Sequence, residues 1–148
     1  MRESPVFVVG YRRGVTGRTA LGYARWLTDA VPGHLHVVHV TDLDDFPLDP
    51  DEFDWEAEAE ERLAAVRAEV DGQLTHSSMT WSYEVAHGDP GEALAEIAVR
   101  DRVSMVIVSA HIDGRTGRLH RMVARSIVQE LFDRAQCPVL VVPCRDDG

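Results

Sequence analysis

Five short apolar runs punctuate the chain, and between them apolar residues recur every third or fourth position. Pro5-Val-Phe-Val-Val-Gly10, Leu35-His-Val-Val-His-Val-Thr41, Trp81-Ser-Tyr-Glu-Val-Ala-His87, Val103-Ser-Met-Val-Ile-Val-Ser109 and Cys137-Pro-Val-Leu-Val-Val-Pro143 predict strands near 6–10, 34–41, 80–87, 103–109 and 138–143. Short, nearly continuous runs rich in valine suit parallel strands covered on both faces. The segments between them predict helices. Apolar positions 20, 23, 24, 27, 30 and 31 mark one face, closed by Pro32-Gly33. A second helix starts near Trp55 and turns Leu63, Val66 and Val70 inward. Asp89 reads as the N-cap of a third, with Pro90 at its first position, Glu92 two residues on, and Ala93, Leu94, Ile97 and Ala98 buried. Positions 127, 128, 131 and 132 share a face of the last. Strands alternating with helices, with neither repeat nor linker, predict an α/β fold. We expect one domain over 1–148, a Rossmann-like, doubly wound five-stranded parallel sheet of order 3-2-1-4-5.

Composition narrows the chemistry. The 148 residues suffice for one core. The formal charge is −10, and all 15 basic residues are arginine. So acidic a chain argues against nonspecific nucleic-acid binding, which rests on many cationic contacts to phosphate. The lack of lysine removes Schiff-base chemistry and a lysine-bearing phosphate loop. No run approaches the length of a membrane span, and the first residues lead straight into a strand, so a cytoplasmic protein without membrane contact is expected. Cys137 and Cys144 flank the last strand with opposite parity and read as free thiols. His34 and His36 share a strand face that His39 does not, so we expect strand histidines and no metal site. Asp42 to Glu61 is acidic throughout, and it reads as a solvated surface or a partner-docking segment.

The chemistry concentrates in the last unit. Strand 103–109 is followed by His111-Ile-Asp-Gly-Arg-Thr-Gly-Arg118, a helix from Ser126, and the closing strand. This order resembles the universal stress protein family, as do Leu35-His-Val-Val-His-Val40 and Gly88-Asp-Pro-Gly-Glu-Ala-Leu94. Nucleotide-binding members carry Gly-x2-Gly-x9-Gly-[Ser/Thr] between the last two strands. Here Ser109 stands at the first glycine, Gly114 and Gly117 supply a pair in a longer loop, Arg125 replaces the third glycine, and Ser126 keeps the final position. After the first strand the family writes Gly-Val-Asp-Gly-Ser-x-x-Ser-x-x-Ala-Leu. Gly10, Ala20 and Leu21 match, but Arg12 replaces the aspartate that lies near the nucleotide and reverses the local charge. The resemblance implies an adenine nucleotide alpha hydrolase-like fold, an adenine site bordered by Val40, and a homodimer paired through Val139, Leu140, Val141 and Val142.

Ser109, His111 and Asp113 lie close in sequence, but no nucleophile elbow frames the serine. We therefore expect no enzyme beyond a slow ATPase. The ligand-binding residues we expect, for a nucleotide or another anion, are Tyr11, Arg12, Val40, Ser109, His111, Gly114, Gly117, Arg125, Ser126 and Ile127. Arg12, Arg13, Arg115, Arg118, Arg121 and Arg125, with His111 and His120, would line one crevice of an acidic protein, and guanidinium groups hold carboxylate or phosphate bidentately. Three roles follow: a stress-response binding protein with an arginine-lined anion site and weak or absent ATP binding, an ATP binder with slow hydrolysis, or a scaffold docking a protein through its acidic loop.

Overall fold

The computed structural model describes residues 3–41, 54–112 and 122–145. Its elements run β1 (Val6–Tyr11), α1 (Val15–Ala30), β2 (His34–Thr41), α2 (Trp55–Leu74), β3 (Thr80–His87), α3 (Pro90–Arg100), β4 (Met105–Ile112), α4 (Met122–Arg134) and β5 (Val139–Arg145). The sheet is parallel with order β3-β2-β1-β4-β5, as the alternating pattern predicts.

Alternation within each strand sends side chains into two cores. Phe7, Val9, Leu35, Val37, Ile107 and Val142 pack with Leu21, Ala24, Val66 and Val70 under α1 and α2. Val8, Val38, Val106 and Val108 pack with Leu94, Ile97, Ala98 and Leu131 under α3 and α4. Strand β1 is central, so its successive residues Val8 and Val9 are both fully buried, one in each core. The turn into α3 forms as its residues dictate: Asp89 accepts the Glu92 N–H at 3.0 Å, with Pro90 opening the helix.

Three expectations change. In α1 and at its C-cap, Tyr23 and Val31 are 52% and 46% exposed and Ala30 is exposed too, so the inward line runs instead through Ala20, Leu21, Ala24 and Thr28, with Leu27 half-buried. Strand β4 begins later and extends to Ile112, because β5 continues to Arg145 and keeps pairing with it; His111 is thus a strand residue like Ser109, short of the loop. In α4, Phe132 does not join the buried face and is 78% exposed, while Ala135 is buried. Leu131 points at the sheet, and the next inward position lies four residues on, at 135, leaving 132 about 100° away around the axis.

These two neighbours should respond differently to truncation. Leu131→Ala removes a fully buried side chain and should cost about 2–5 kcal/mol. Phe132→Ala should stay within about 0.5 kcal/mol of the parent protein. Urea denaturation of both variants checks the assignment.

Candidate functional site

The strand order reverses between β1 and β4, and the helices that follow these strands cover opposite faces, α1 on one and α4 on the other. Their carboxyl ends therefore open onto a crevice, the usual ligand position in such sheets. Tyr11 ends β1 with its ring buried and its hydroxyl donating to Glu69 Oε2 of α2 at 3.0 Å. Burial first, then this carboxylate, push the phenol up to about 12, so it stays protonated as a donor. Arg13 Nε lies 3.5 Å from Glu69 Oε1, so Glu69 ties the β1–α1 turn to α2. Beyond it Arg13, Glu58, Glu61, Arg62 and Ala65 line an open cleft of about 370 Å³.

On the other side of the turn, Thr16 Oγ1 and His111 Nε2 stand 3.5 Å apart. This contact brings the first turn of α1 against the end of β4, across 95 residues of sequence. Helix α1 has no acidic side chain in its first turn and is capped by Gly14 at φ 106°, a conformation that favours glycine. Its positive end is therefore not neutralised by an acidic residue of its own first turn. Gly17 is buried there because the Arg12 carbonyl rests on it: an added Cβ would fall 1.7 Å from that oxygen. The glycine lets the Arg12 turn fold down onto α1, and the Arg12 side chain is exposed.

The residues expected at the site separate into groups. Tyr11 and Arg12 follow one another at the carboxyl end of β1, and His111 stands near the end of the neighbouring β4; the Tyr11 ring itself turns into the α1/α2 core. Val40, near the end of β2, is buried under the α3 side. The Ser109 hydroxyl donates to the Val142 carbonyl at 3.0 Å. Ile127 packs against the α3/α4 core. Gly114 and Gly117, with Arg115, Arg118, His120 and Arg121, lie outside the described residues. So do the side chains of Arg125 and Ser126, although their backbone belongs to α4. Sequence reasoning missed Glu69, Thr16 and Gly17. A glycine in the first turn of a helix was the available signal for the last.

The two cysteines are free, as expected. Cys137 packs on the α3/α4 side, where burial raises its thiol pKa. Cys144 lies on the α1 side, 3.7 Å from Thr19 Oγ1. No helix among the described residues is long and apolar enough to cross a membrane.

Residues 6–143 match the model of the universal stress protein family. The chain belongs to that family. No curated protein is similar enough to match. Among solved structures, the universal stress protein UspA from Lactobacillus plantarum is 20% identical, with a TM-score of 0.68 over 96% of this chain and 99% of that one. A universal stress protein solved in complex with cAMP is 18% identical, with a TM-score of 0.66 over 95% and 98%. The Archaeoglobus fulgidus protein in complex with dAMP is 14% identical, with a TM-score of 0.56 over 96% and 99%. At these identities the likeness is one of fold.

Two glycine substitutions test the packing at the turn. Gly17→Ala gains about 1 kcal/mol of helix propensity but drives a methyl into the Arg12 carbonyl, and overpacking of about 1–3 kcal/mol should prevail. Gly72→Ala, within α2 and with nothing near its added Cβ, should stabilise by about 0.5–1 kcal/mol. Thermal melts should move in opposite directions.

Proposed function

We propose that this universal stress protein acts in stress adaptation by binding a small anionic ligand at the β1–β4 crevice, without turning it over. The carrying observation is Arg12. It follows directly on the central strand at the point where the order reverses, before a helix whose first turn lacks acidic side chains. A guanidinium there attracts an anion where the family pattern has a carboxylate. That reversal also removes the family's aspartate from the nucleotide, which supports weak ATP binding and, at most, slow hydrolysis. Relatives solved with cAMP and dAMP favour a second reading, in which the anion is itself an adenine nucleotide.

Calorimetric titration with ATP, ADP, AMP and inorganic phosphate separates the two. A site read by charge should bind in order of ligand charge and lose about tenfold or more in affinity in Arg12→Asp, a charge-assisted contact being worth about 1.5–3 kcal/mol. If Arg12→Asp instead tightens ATP binding, the nucleotide reading stands and the arginine reading falls. Absence of heat at millimolar concentration for every ligand overturns both.

We further infer a homodimer through β5. This strand forms one edge of the sheet, with Val139, Leu140 and Val141 half-buried and Val142 already covered by the α1 side. An apolar edge with open backbone groups invites a second strand. Light scattering at micromolar concentration should give twice the chain mass, and Val141→Pro, which removes a backbone donor, should shift the protein toward monomer. A parent protein that scatters as a monomer refutes the assignment.

A further inference from the structure

At the opposite end of the sheet, five polar side chains on adjacent strands form a single file. His34 pairs in register with Thr80, and His36 with Ser82. His34 Nδ1 is 3.0 Å from Thr80 Oγ1, and its Nε2 is 2.7 Å from Ser82 Oγ. The same oxygen is 2.6 Å from His36 Nδ1, whose Nε2 is 2.8 Å from Glu84 Oε2. Arg100, at the end of α3, grips Glu84 through two bonds of 3.0 and 2.8 Å and also holds Asp101. On its other side β2 faces Val6 and Val8 of β1, which carry no charge. Among the described residues, the charges bonded into this file are those of Glu84 and, through it, Arg100 and Asp101.

Only one arrangement of protons satisfies this file when both rings are neutral. The Glu84 carboxylate can only accept, so His36 carries its proton on Nε2 and offers a bare Nδ1. Ser82 must then donate to His36, which spends its only proton. It accepts from His34 Nε2, leaving a bare Nδ1 that takes the Thr80 proton. One further proton fits without loss. On His36 it reverses the file, so that Ser82 donates to His34 and His34 to Thr80; on His34 it turns only Thr80. A second proton is opposed by charge. The Ser82 oxygen has two lone pairs and can accept from both rings, but two imidazolium N–H groups then converge on one oxygen and repel each other, and the hydroxyl proton is turned out of the file.

We propose that His34, Ser82 and His36 form a one-proton relay, which makes the corner of β2, β3 and α3 an acid-sensitive joint. The first proton is absorbed with every hydrogen bond kept. The second sets two imidazolium rings and Arg100 against the two carboxylates and loosens β3 from β2 and α3. The direction of the pH response agrees. Burial, then the neighbouring His36, hold the His34 pKa below its ordinary value. A histidine depressed in this way contributes stability above its unfolded pKa of about 6.5, lost as pH falls toward the lower folded value. Arg100 first, with His36 after it, lowers Glu84 to about 2 against the opposing effect of burial, so its carboxylate remains ionised through that window. Loss of order in β3 as the pH falls below about 6.5 therefore belongs to protonation of the file at His34, with Glu84 still ionised.

The test is a histidine NMR titration of the full chain, with amide hydrogen exchange over residues 80–85. We expect two macroscopic steps at least about one pH unit apart, a tenfold difference in proton affinity, with both rings responding to the first. Exchange protection in β3 should fall at the second step and not at the first. Ser82→Ala deletes the shared oxygen, and the rings should then stop responding together. His34→Gln leaves a single titrating ring and should keep β3 protected further into acid. Two rings titrating independently at one pH, or a joint response that survives Ser82→Ala, overturns the relay. So does protection lost at the first step.

Discussion

The burial of β1 on both faces is the constraint from which the architecture follows. Val8 and Val9 are consecutive, so they point to opposite faces, and both are wholly removed from water. Each such side chain contributes roughly 1.5–3 kcal/mol only if a helix covers its face. The chain meets this by placing α1 and α2 on one side and α3 and α4 on the other. Building outward from a central strand first one way and then the other requires a reversal beside β1. The crevice is the geometrical result of that reversal, and the turn carrying Arg12 sits in it because it leaves the central strand.

Much of this was legible in the pattern of apolar positions. Strands buried on both faces appear as uninterrupted runs, and β2 and β3 span the residues read for them. The errors came where local pattern meets tertiary contact. The end of β4 was read as loop because His111 is polar, yet β5 extends and pairs with it through Ile112. Phe132 was assigned to the buried face because it is apolar, although Leu131 and Ala135 define the inward line. At the crevice, the identity of Arg12 could be read, but the contact that shapes its turn could not. The approach of the Arg12 carbonyl to Gly17 and the bond between Tyr11 and Glu69 depend on how helices settle over the sheet.

The histidines show the same limit at the sheet's other end. His34 and His36 were placed on one face by their spacing, and the structure agrees, with His39 turned to the other side. Thr80, Ser82 and Glu84 repeat that spacing on β3. What spacing alone lacked was the register that sets His36 opposite Ser82. A slip of one residue would have turned the whole β3 set to the opposite face. The relay is thus a property of strand pairing more than of any segment.

The two edges of the sheet are finished in opposite ways, and the contrast bears on association. Along β3 the side facing α3 carries Thr80, Ser82 and Glu84, engaged with histidines and with Arg100, and its other face is covered by Arg67 stacked over Trp81 and Tyr83. Inward-pointing polar and charged groups make such an edge a poor template for another strand. Strand β5 has no such groups over Val139–Val142, and Pro143 then removes a backbone donor and limits how far a partner strand could continue. Both strands lie at the ends of the sheet, but of the two β5 offers four apolar residues in succession with a defined stop. If copies of this chain associate through their sheets, the difference in side chains directs them to β5 and keeps the acid-sensitive corner on the outside of the assembly.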